Sequence, residues 1–307
     1  MDKYVSAVIG HAIGDAMGVP VEFVDRVNLM DTPITTLKKS YAGPAGTWSD
    51  DTSMEVATMD SFINKGIWDY DDIMVNFGDW INDSKFTANN YTFDVGRTCL
   101  AAIRNYIELG TPALESGIDG FLSNGNGSLM RILPVAYYCY KKDLNKKDIL
   151  ELTKNISSLT HRNEISILGC YIYVLYVINL FKGLDKLEAY NTIKNEDYSS
   201  FSKESIDLYK RILKEDLNTL EIDDIKSSGY VVDTLEASLW TLLKASNYVE
   251  AVIGAINLGG DTDTIGAITG SMAGIIYKDI PEKWINKLQR KDYLIELANK
   301  FEETINK

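Results

Sequence analysis

Histidine is almost missing from this chain: the 307 residues contain two, His11 and His161, and only three cysteines. Neither histidine pairs with a cysteine, and Cys99, Cys139 and Cys170 share no Cys-x-x-Cys or Cys/His spacing. That argues against a zinc site. The cysteines read instead as reduced thiols of a cytoplasmic protein, buried as small hydrophobes. Positive charge is scarce as well. Lys and Arg number 31 against 44 Asp and Glu, a formal charge of −13 and a pI near 4.7. A general nucleic-acid binder or an anionic-membrane binder would reward a basic face, so neither partner is expected. No run of about 18 uncharged apolar residues is flanked like a membrane span. The opening "MDKYVSAVIGHAIGDAMG" is apolar, but Asp2, His11 and Asp15 interrupt it, and it has neither a basic n-region nor a clear cleavage site.

What is present is ordinary globular material, 45% hydrophobic and 24% charged, enough to bury a sizeable core. Few segments alternate with the period of a half-buried strand. Most of the chain reads as helix. "DDTSMEVATMDSFINKG" spaces Met54, Ala57, Met59 and Phe62 for one face and ends at Gly66, a C-cap residue. "TCLAAIRNYIELG" repeats the design with Leu100, Ile103 and Ile107, stopped by Gly110. "NEISILGCYIYVLYVINLFKG" is nearly all apolar and predicts a central buried helix. "VDTLEASLWTLLKAS" and "NYVEAVIGAINLGG" continue the pattern. The six prolines fall mostly between these segments. The fold class expected is an all-α orthogonal bundle. No clean linker divides it, so residues 1–307 read as a single domain. The stretch from about Asp185 to Lys226, rich in Lys, Glu, Asp and Ser, reads as a solvated outer layer.

The carboxylates are distributed less evenly. "GGDTDTIGAITGSMAG" places Asp261 and Asp263 ahead of a run built on Gly266, Ala267, Gly270, Ser271, Ala273 and Gly274. One aspartate at a helix start is an ordinary N-cap. Here two carboxylates and two hydroxyls share four positions, and the small residues behind them imply close, interior packing. Buried carboxylates need partners. "GTWSDDTSM" repeats the motif with Ser49, Asp50, Asp51 and Thr52, and capping explains only one of two adjacent, repelling aspartates. Glu22 in "GDAMGVPVEF" adds a fifth carboxylate. Five carboxylates and several hydroxyls from three distant segments suit hard divalent cations, which take oxygen ligands.

"NGNGSLMRILPV" follows. Gly125 and Gly127 let backbone approach a ligand, and Ser128 reads as the start of a helix carrying Leu129, Met130, Leu133 and Val135. Free amides at such a start make an anion site. Arg131 in a first turn opposes the helix dipole unless an anion is nearby. Spacing alone leaves two readings open, this one and a glycine-rich turn followed by a surface arginine.

Taken together, "GHAIGDAMGVPVEF", "WSDDTSM", "FDVGRT", "NGNGSLMRILPV", "LTHRN" and "GYVVDTLEASLW…AVIGAINLGGDTDTIGAITGSMAG" resemble the ADP-ribosylglycohydrolase family, in family order over roughly residues 4 to 277. The resemblance implies an all-α fold with two magnesium ions in a cleft, manganese being an acceptable substitute. Ser49, Asp50, Asp51 and Asp263 would hold one ion; Asp261, Asp263 and Thr264 would hold the other, Asp263 bridging. Glu22 would lie beside the second ion as ligand or proton-transfer group, and Asp94 of "FDVGRT" matches an acid/base carboxylate of some relatives. Gly125, Gly127, Ser128, Met130 and Arg131 would hold the pyrophosphate and neighbouring ribose, His161 would line the cleft, and Tyr230 would border the adenine. Ser49 stands where many relatives have Thr; the hydroxyl survives. The segment from about Lys182 to Ser227 carries none of the quoted motifs.

Residues and resemblance meet on one chemistry. Cleavage at ribose C1″ builds an oxocarbenium-like transition state, which two metals can serve by fixing ribose hydroxyls and acidifying a water, with Glu22 or Asp94 moving the proton. The expected function is release of ADP-ribose from a modified acceptor, a protein side chain first. Competing readings are a non-catalytic ADP-ribose reader, a structural protein such as the lens crystallins of this fold, and a metal-dependent phosphohydrolase. The first two have no need of the full acidic set; the third would yield AMP rather than ADP-ribose.

Overall fold

The computed structural model describes residues 1–307. It is built of helices, 17 α-helices with short 3-10 turns, and its β-pairing is confined to isolated bridges such as Gly125 with Tyr230. One apolar cluster of 82 buried residues runs from Tyr4 to Ile305, so both ends of the chain close over the same core.

At the centre lies the helix Glu164–Phe181, of which every residue but Glu164 and Asn179 is buried. It is long and apolar enough to cross a membrane, yet 89% of it is covered by other helices of this chain. Each large apolar side chain so buried contributes roughly 1.5–3 kcal/mol. Its polar groups find partners: Tyr173 Oη lies 2.7 Å from Ser271 Oγ, and Ser166 Oγ donates to Asn124 Oδ1 at 2.9 Å.

The small residues noted in the sequence have a specific purpose. The N-terminal helix Lys3–Gly18 and the helix Thr262–Tyr277 lie antiparallel with their backbones in contact. Glycines repeat every fourth residue on both, Gly10, Gly14 and Gly18 on the first helix and Gly266, Gly270 and Gly274 on the second, with Gly10 against Gly270 and Gly14 against Gly266. A Cβ at Gly14 would sit 1.9 Å from Gly266 O, and one at Gly10 would sit 2.3 Å from Gly270 O. Any side chain at these points would force the helices apart. The same row brings Gly18 against the backbone of Asp263. Thus the packing of these two helices sets the distance between the Asp261–Thr264 turn and the 3-10 turn Val19–Val21, which delivers Glu22.

Most helices fall where periodicity puts them: Asp50–Lys65 ends on Gly66 at φ +70°, and Val231–Lys244 and Tyr248–Ile256 follow their patterns. Two expectations need correction. The helix expected from Ser128 starts only at Leu133, with Pro134 in its first turn. A helix from Ser128 would place Pro134 in its interior, where proline lacks the required donor and clashes. The Asp185–Lys226 stretch is also more than a solvated layer. Its short helices Lys186–Lys194 and Lys210–Leu213 bury Tyr190, Ile193, Ile212 and Leu213.

Candidate active site

Two helix starts converge on one cleft of about 320 Å³, lined among others by Glu22, Asp50, Asp94, Arg97, Gly125, Asn126, Gly127, Met130, His161, Asp261 and Thr264. A roomier groove of about 510 Å³ lies between helices Tyr70–Asp83 and Arg97–Ile107. Of its acidic residues only Asp71 and Asp79 line it, so the chemistry belongs to the smaller cleft.

The Asp50 helix is anchored from outside. Its N-cap is Ser49, but the free amides of its first turn are met by Asp15 of the N-terminal helix, wholly buried. Asp15 accepts from Ser49 N at 2.9 Å, Thr52 N at 3.1 Å and Thr52 Oγ1 at 2.6 Å. Burial pushes its carboxyl up to about 7, against the pull of those hydrogen bonds. Asp15 has no place among the residues singled out from sequence. Its signal was an acid inside an apolar helix, which is costly unless partnered.

Asp51 is buried beside it. Its Oδ2 accepts from Ser49 Oγ at 3.2 Å and from Thr264 Oγ1 at 3.3 Å, while Oδ1 has no hydrogen-bond partner. At the second helix start, Asp263 Oδ1 accepts from Thr264 N at 2.9 Å, and its Oδ2 is also buried and unpartnered. Asp261 Oδ2 accepts from Asn126 Nδ2 at 2.8 Å. Thr262 turns away, its hydroxyl donating to Gly18 O at 3.0 Å. Carboxylate oxygens of Glu22, Asp261 and Asp263 come within 4.8 Å of one another.

Such crowding is written in the acidities. Burial first, then the charges of Asp94 and Asp261, push Glu22 up to about 9. Burial raises Asp50, Asp51 and Asp263 well above the usual carboxylate range, reinforced by Asp94, Asp15 and Asp261 respectively. Asp261 is raised by burial and lowered again by its hydrogen-bond donors. Two buried oxygens without donors, amid carboxylates held out of water, are the arrangement a divalent cation relieves. The oxygen-only donor set fits magnesium or manganese.

The glycine loop and its surroundings divide into two groups. Gly125, Gly127 and Met130 line the cleft, with His161. A Cβ on Gly127 would meet Cys99 Sγ at 2.7 Å and His161 Cε1 at 2.9 Å, so only glycine fits. Burial, aided by Arg131, lowers His161 to about 3, and its ring is neutral. Tyr230 stands in an adjoining groove with Phe121, Leu122, Asn124, Gly125 and Gly229. Ser128 and Arg131 face elsewhere. Ser128 Oγ accepts from Ser157 Oγ at 3.0 Å in the core. Arg131 is fully buried: its guanidinium donates to Gly127 O, to Ile156 O at 3.2 Å and to Thr160 Oγ1 at 2.8 Å, 5.1 Å from the centre of the Phe77 ring. It braces the loop from behind rather than reaching a ligand. The cation that does line the cleft is Arg97, with Thr98, at the start of the Arg97–Ile107 helix. Asn126 and Arg97 both lie inside quoted motifs, but nothing in their spacing distinguished them.

A buried set of carboxylates with raised acidities, grouped within reach of one another in a cleft between helices, defines an acid–base hydrolase of all-α architecture. The profile of the ADP-ribosylglycohydrolase family matches residues 1–307. The chain belongs to that family and is a glycohydrolase acting on the linkage between ADP-ribose and an acceptor. It is similar to the ADP-ribosylarginine hydrolase Tri1 of Serratia proteamaculans (strain 568), 30% identical over 97% of this chain and 78% of that one. It is also similar to the ADP-ribosyl-[dinitrogen reductase] glycohydrolase of Rhodospirillum rubrum, 29% identical over 94% of this chain and 91% of that one. A solved ADP-ribosylglycohydrolase-related protein complex shares the fold, with a TM-score of 0.83 at 24% identity over 99% of this chain and 98% of the other.

Proposed function

We propose that this enzyme hydrolyses the C1″ linkage of ADP-ribose to an arginine side chain of a protein, with two magnesium ions in the acidic cleft. The carrying observation is the approach of Glu22, Asp261 and Asp263 within 4.8 Å, beside unpartnered oxygens of Asp51 and Asp263. The arginine acceptor is supported by the similarity to arginine hydrolases. Ser49, Asp50, Asp51 and Asp263 would hold one ion, and Asp261, Asp263 and Thr264 the other. Bound there, the ions supply Lewis-acid fixation of ribose hydroxyls and an acidified water. The protein does the rest. Gly125 and Gly127 let the loop backbone approach the pyrophosphate, and Arg97 offers it a cation. The groove of Tyr230, Phe121 and Leu122 takes the adenine. Neutral His161 closes the cleft wall. Glu22, which lines the cleft with Asp94 and Asp261, gives a proton to the leaving guanidino nitrogen as the C1″–N bond breaks. Asp94 accepts the proton from the water that attacks C1″. The three buried, unpaired thiols suit a reducing, cytoplasmic setting.

Incubation with peptides ADP-ribosylated on arginine or on serine, plus magnesium, tests this. Free ADP-ribose and unmodified arginine peptide are expected, and EDTA should stop the reaction. AMP as product, or turnover insensitive to EDTA, would overturn the reading.

A further inference from the structure

Next to Asp94 in the chain, Phe93 gathers two exposed aromatic side chains around it. Tyr41 is 73% and Tyr91 54% exposed, while Phe93 between them is 9% exposed. Tyr41 meets Phe93 edge-on at 5.9 Å between ring centres, and Tyr91 lies nearly parallel to Phe93 at 6.1 Å. Clustered exposed aromatic rings, unlike scattered single ones, offer a surface a ligand can use. These rings are separate from the Phe121, Leu122 and Tyr230 groove beyond Gly125.

The three rings are fixed to the reacting carboxylates through the backbone. Phe93 packs on Val19 and Ala42. Val19 begins the 3-10 turn that ends at Glu22, and Ala42 follows Tyr41 in the chain. Asp94 follows Phe93 with φ at +54°, a strained conformation for a non-glycine residue. Aromatic faces are therefore set beside two carboxyl groups. Tyr41 is tied to the same segment by its edge-on contact with Phe93.

Planar cations are what such a surface selects. A guanidinium stacks on an aromatic face and is weakly hydrated there, while carboxylates at the edge complement its charge. A serine-linked acceptor offers neither plane nor charge. Resting on the arginine reading above, we infer that Tyr41, with Phe93 and Tyr91 behind it, is the acceptor shelf that seats the modified arginine's guanidinium beside Glu22 and Asp94 and selects arginine-linked over serine-linked substrates.

Two measurements on the full magnesium-loaded chain test the shelf. First, Tyr41→Leu should raise KM for an ADP-ribosylarginine peptide roughly five- to thirty-fold, with kcat far less changed; Tyr41→Phe should keep the wild-type value. The Kd of free ADP-ribose should be the same in all three proteins. Second, agmatine, a free guanidinium probe, should bind the ADP-ribose-loaded wild type and Tyr41→Phe but not Tyr41→Leu. Hydrolysis of the arginine peptide with KM and agmatine binding indifferent to Tyr41→Leu overturns the shelf and leaves the arginine reading intact. Tyr41-dependent agmatine binding without hydrolysis of the arginine peptide sustains the shelf and overturns that reading. Loss of ADP-ribose affinity in Tyr41→Leu, in step with KM, also overturns the shelf.

Discussion

Replacing Arg131 by alanine should unfold this protein more readily without weakening ADP-ribose binding by the molecules that remain folded. The side chain is fully buried and donates to three acceptors, Gly127 O, Ile156 O and Thr160 Oγ1. Each charge-assisted hydrogen bond contributes about 1.5–3 kcal/mol, and a buried acceptor left bare costs about 1–3 kcal/mol. Truncation also opens a cavity against Phe77. Set against these losses, burial of the guanidinium is itself unfavourable, as its lowered pKa records, so its removal returns part of the cost. A net loss of about 3–5 kcal/mol follows. For a chain of this length that corresponds to a fall in Tm of about 5–8 °C. Arg131→Met fills most of the volume and should lose less. Calorimetric or fluorescence-detected unfolding gives the stabilities, and titration with ADP-ribose below the transition gives the affinity. Wild-type Tm combined with a tenfold loss of ADP-ribose affinity would refute the bracing role and return Arg131 to the ligand.

Three further outcomes are expected. Asp263→Ala should lose the magnesium-induced rise in Tm and all turnover, because Asp263 faces both Glu22 and Asp261; Thr262→Ala, whose hydroxyl bonds Gly18 O, should keep magnesium binding and lose only about 0.5–1.5 kcal/mol of stability, and equal magnesium responses would sink this division. Without metal, the raised carboxyls favour the protonated form in the folded state, so their contribution is fully present below about pH 4 and is lost as pH rises toward the Glu22 value of about 9; Tm in EDTA should fall across that window, and saturating magnesium or Asp50→Asn with Asp51→Asn should flatten the slope, whereas a metal-free Tm that rises with pH would contradict it. Gly14→Val should cost well over about 3 kcal/mol or abolish soluble protein, since its Cβ would lie 1.9 Å from Gly266 O, while Gly66→Ala, with nothing within 4 Å, should cost only about 1 kcal/mol for its positive φ; similar unfolding midpoints for the two variants would contradict the helix contact.

The chain's helices were readable because their cause is local. A period of 3.6, the Gly66 cap and the uniformly apolar Glu164–Phe181 segment each lie within one stretch of sequence. The same local rule misplaced the helix after Asn124, because Pro134 as a first-turn residue was a stronger signal than the serine at 128. The carboxylate pairs were legible for a similar reason: adjacent aspartates at a helix start exceed what capping requires. Arg131 shows the limit of such arguments. An arginine beside a glycine loop has the same local sequence whether it faces a phosphate or the core, and only the position of Thr160 and Ile156 decides which.

By itself, then, the sequence determined the helical class, the acidic motifs and the likeness to ADP-ribosylglycohydrolases, since periodicity, capping and motif order are properties of short segments. Tertiary structure decided what depends on distances between remote segments. It set Asp15 under the Asp50 helix, drew Glu22 to Asp261 and Asp263 by the contact of two glycine rows, turned Arg131 inward, and placed Tyr41 against Phe93, the neighbour of Asp94. Those pairings are fixed by backbone packing at a few ångströms, which no spacing along the chain encodes.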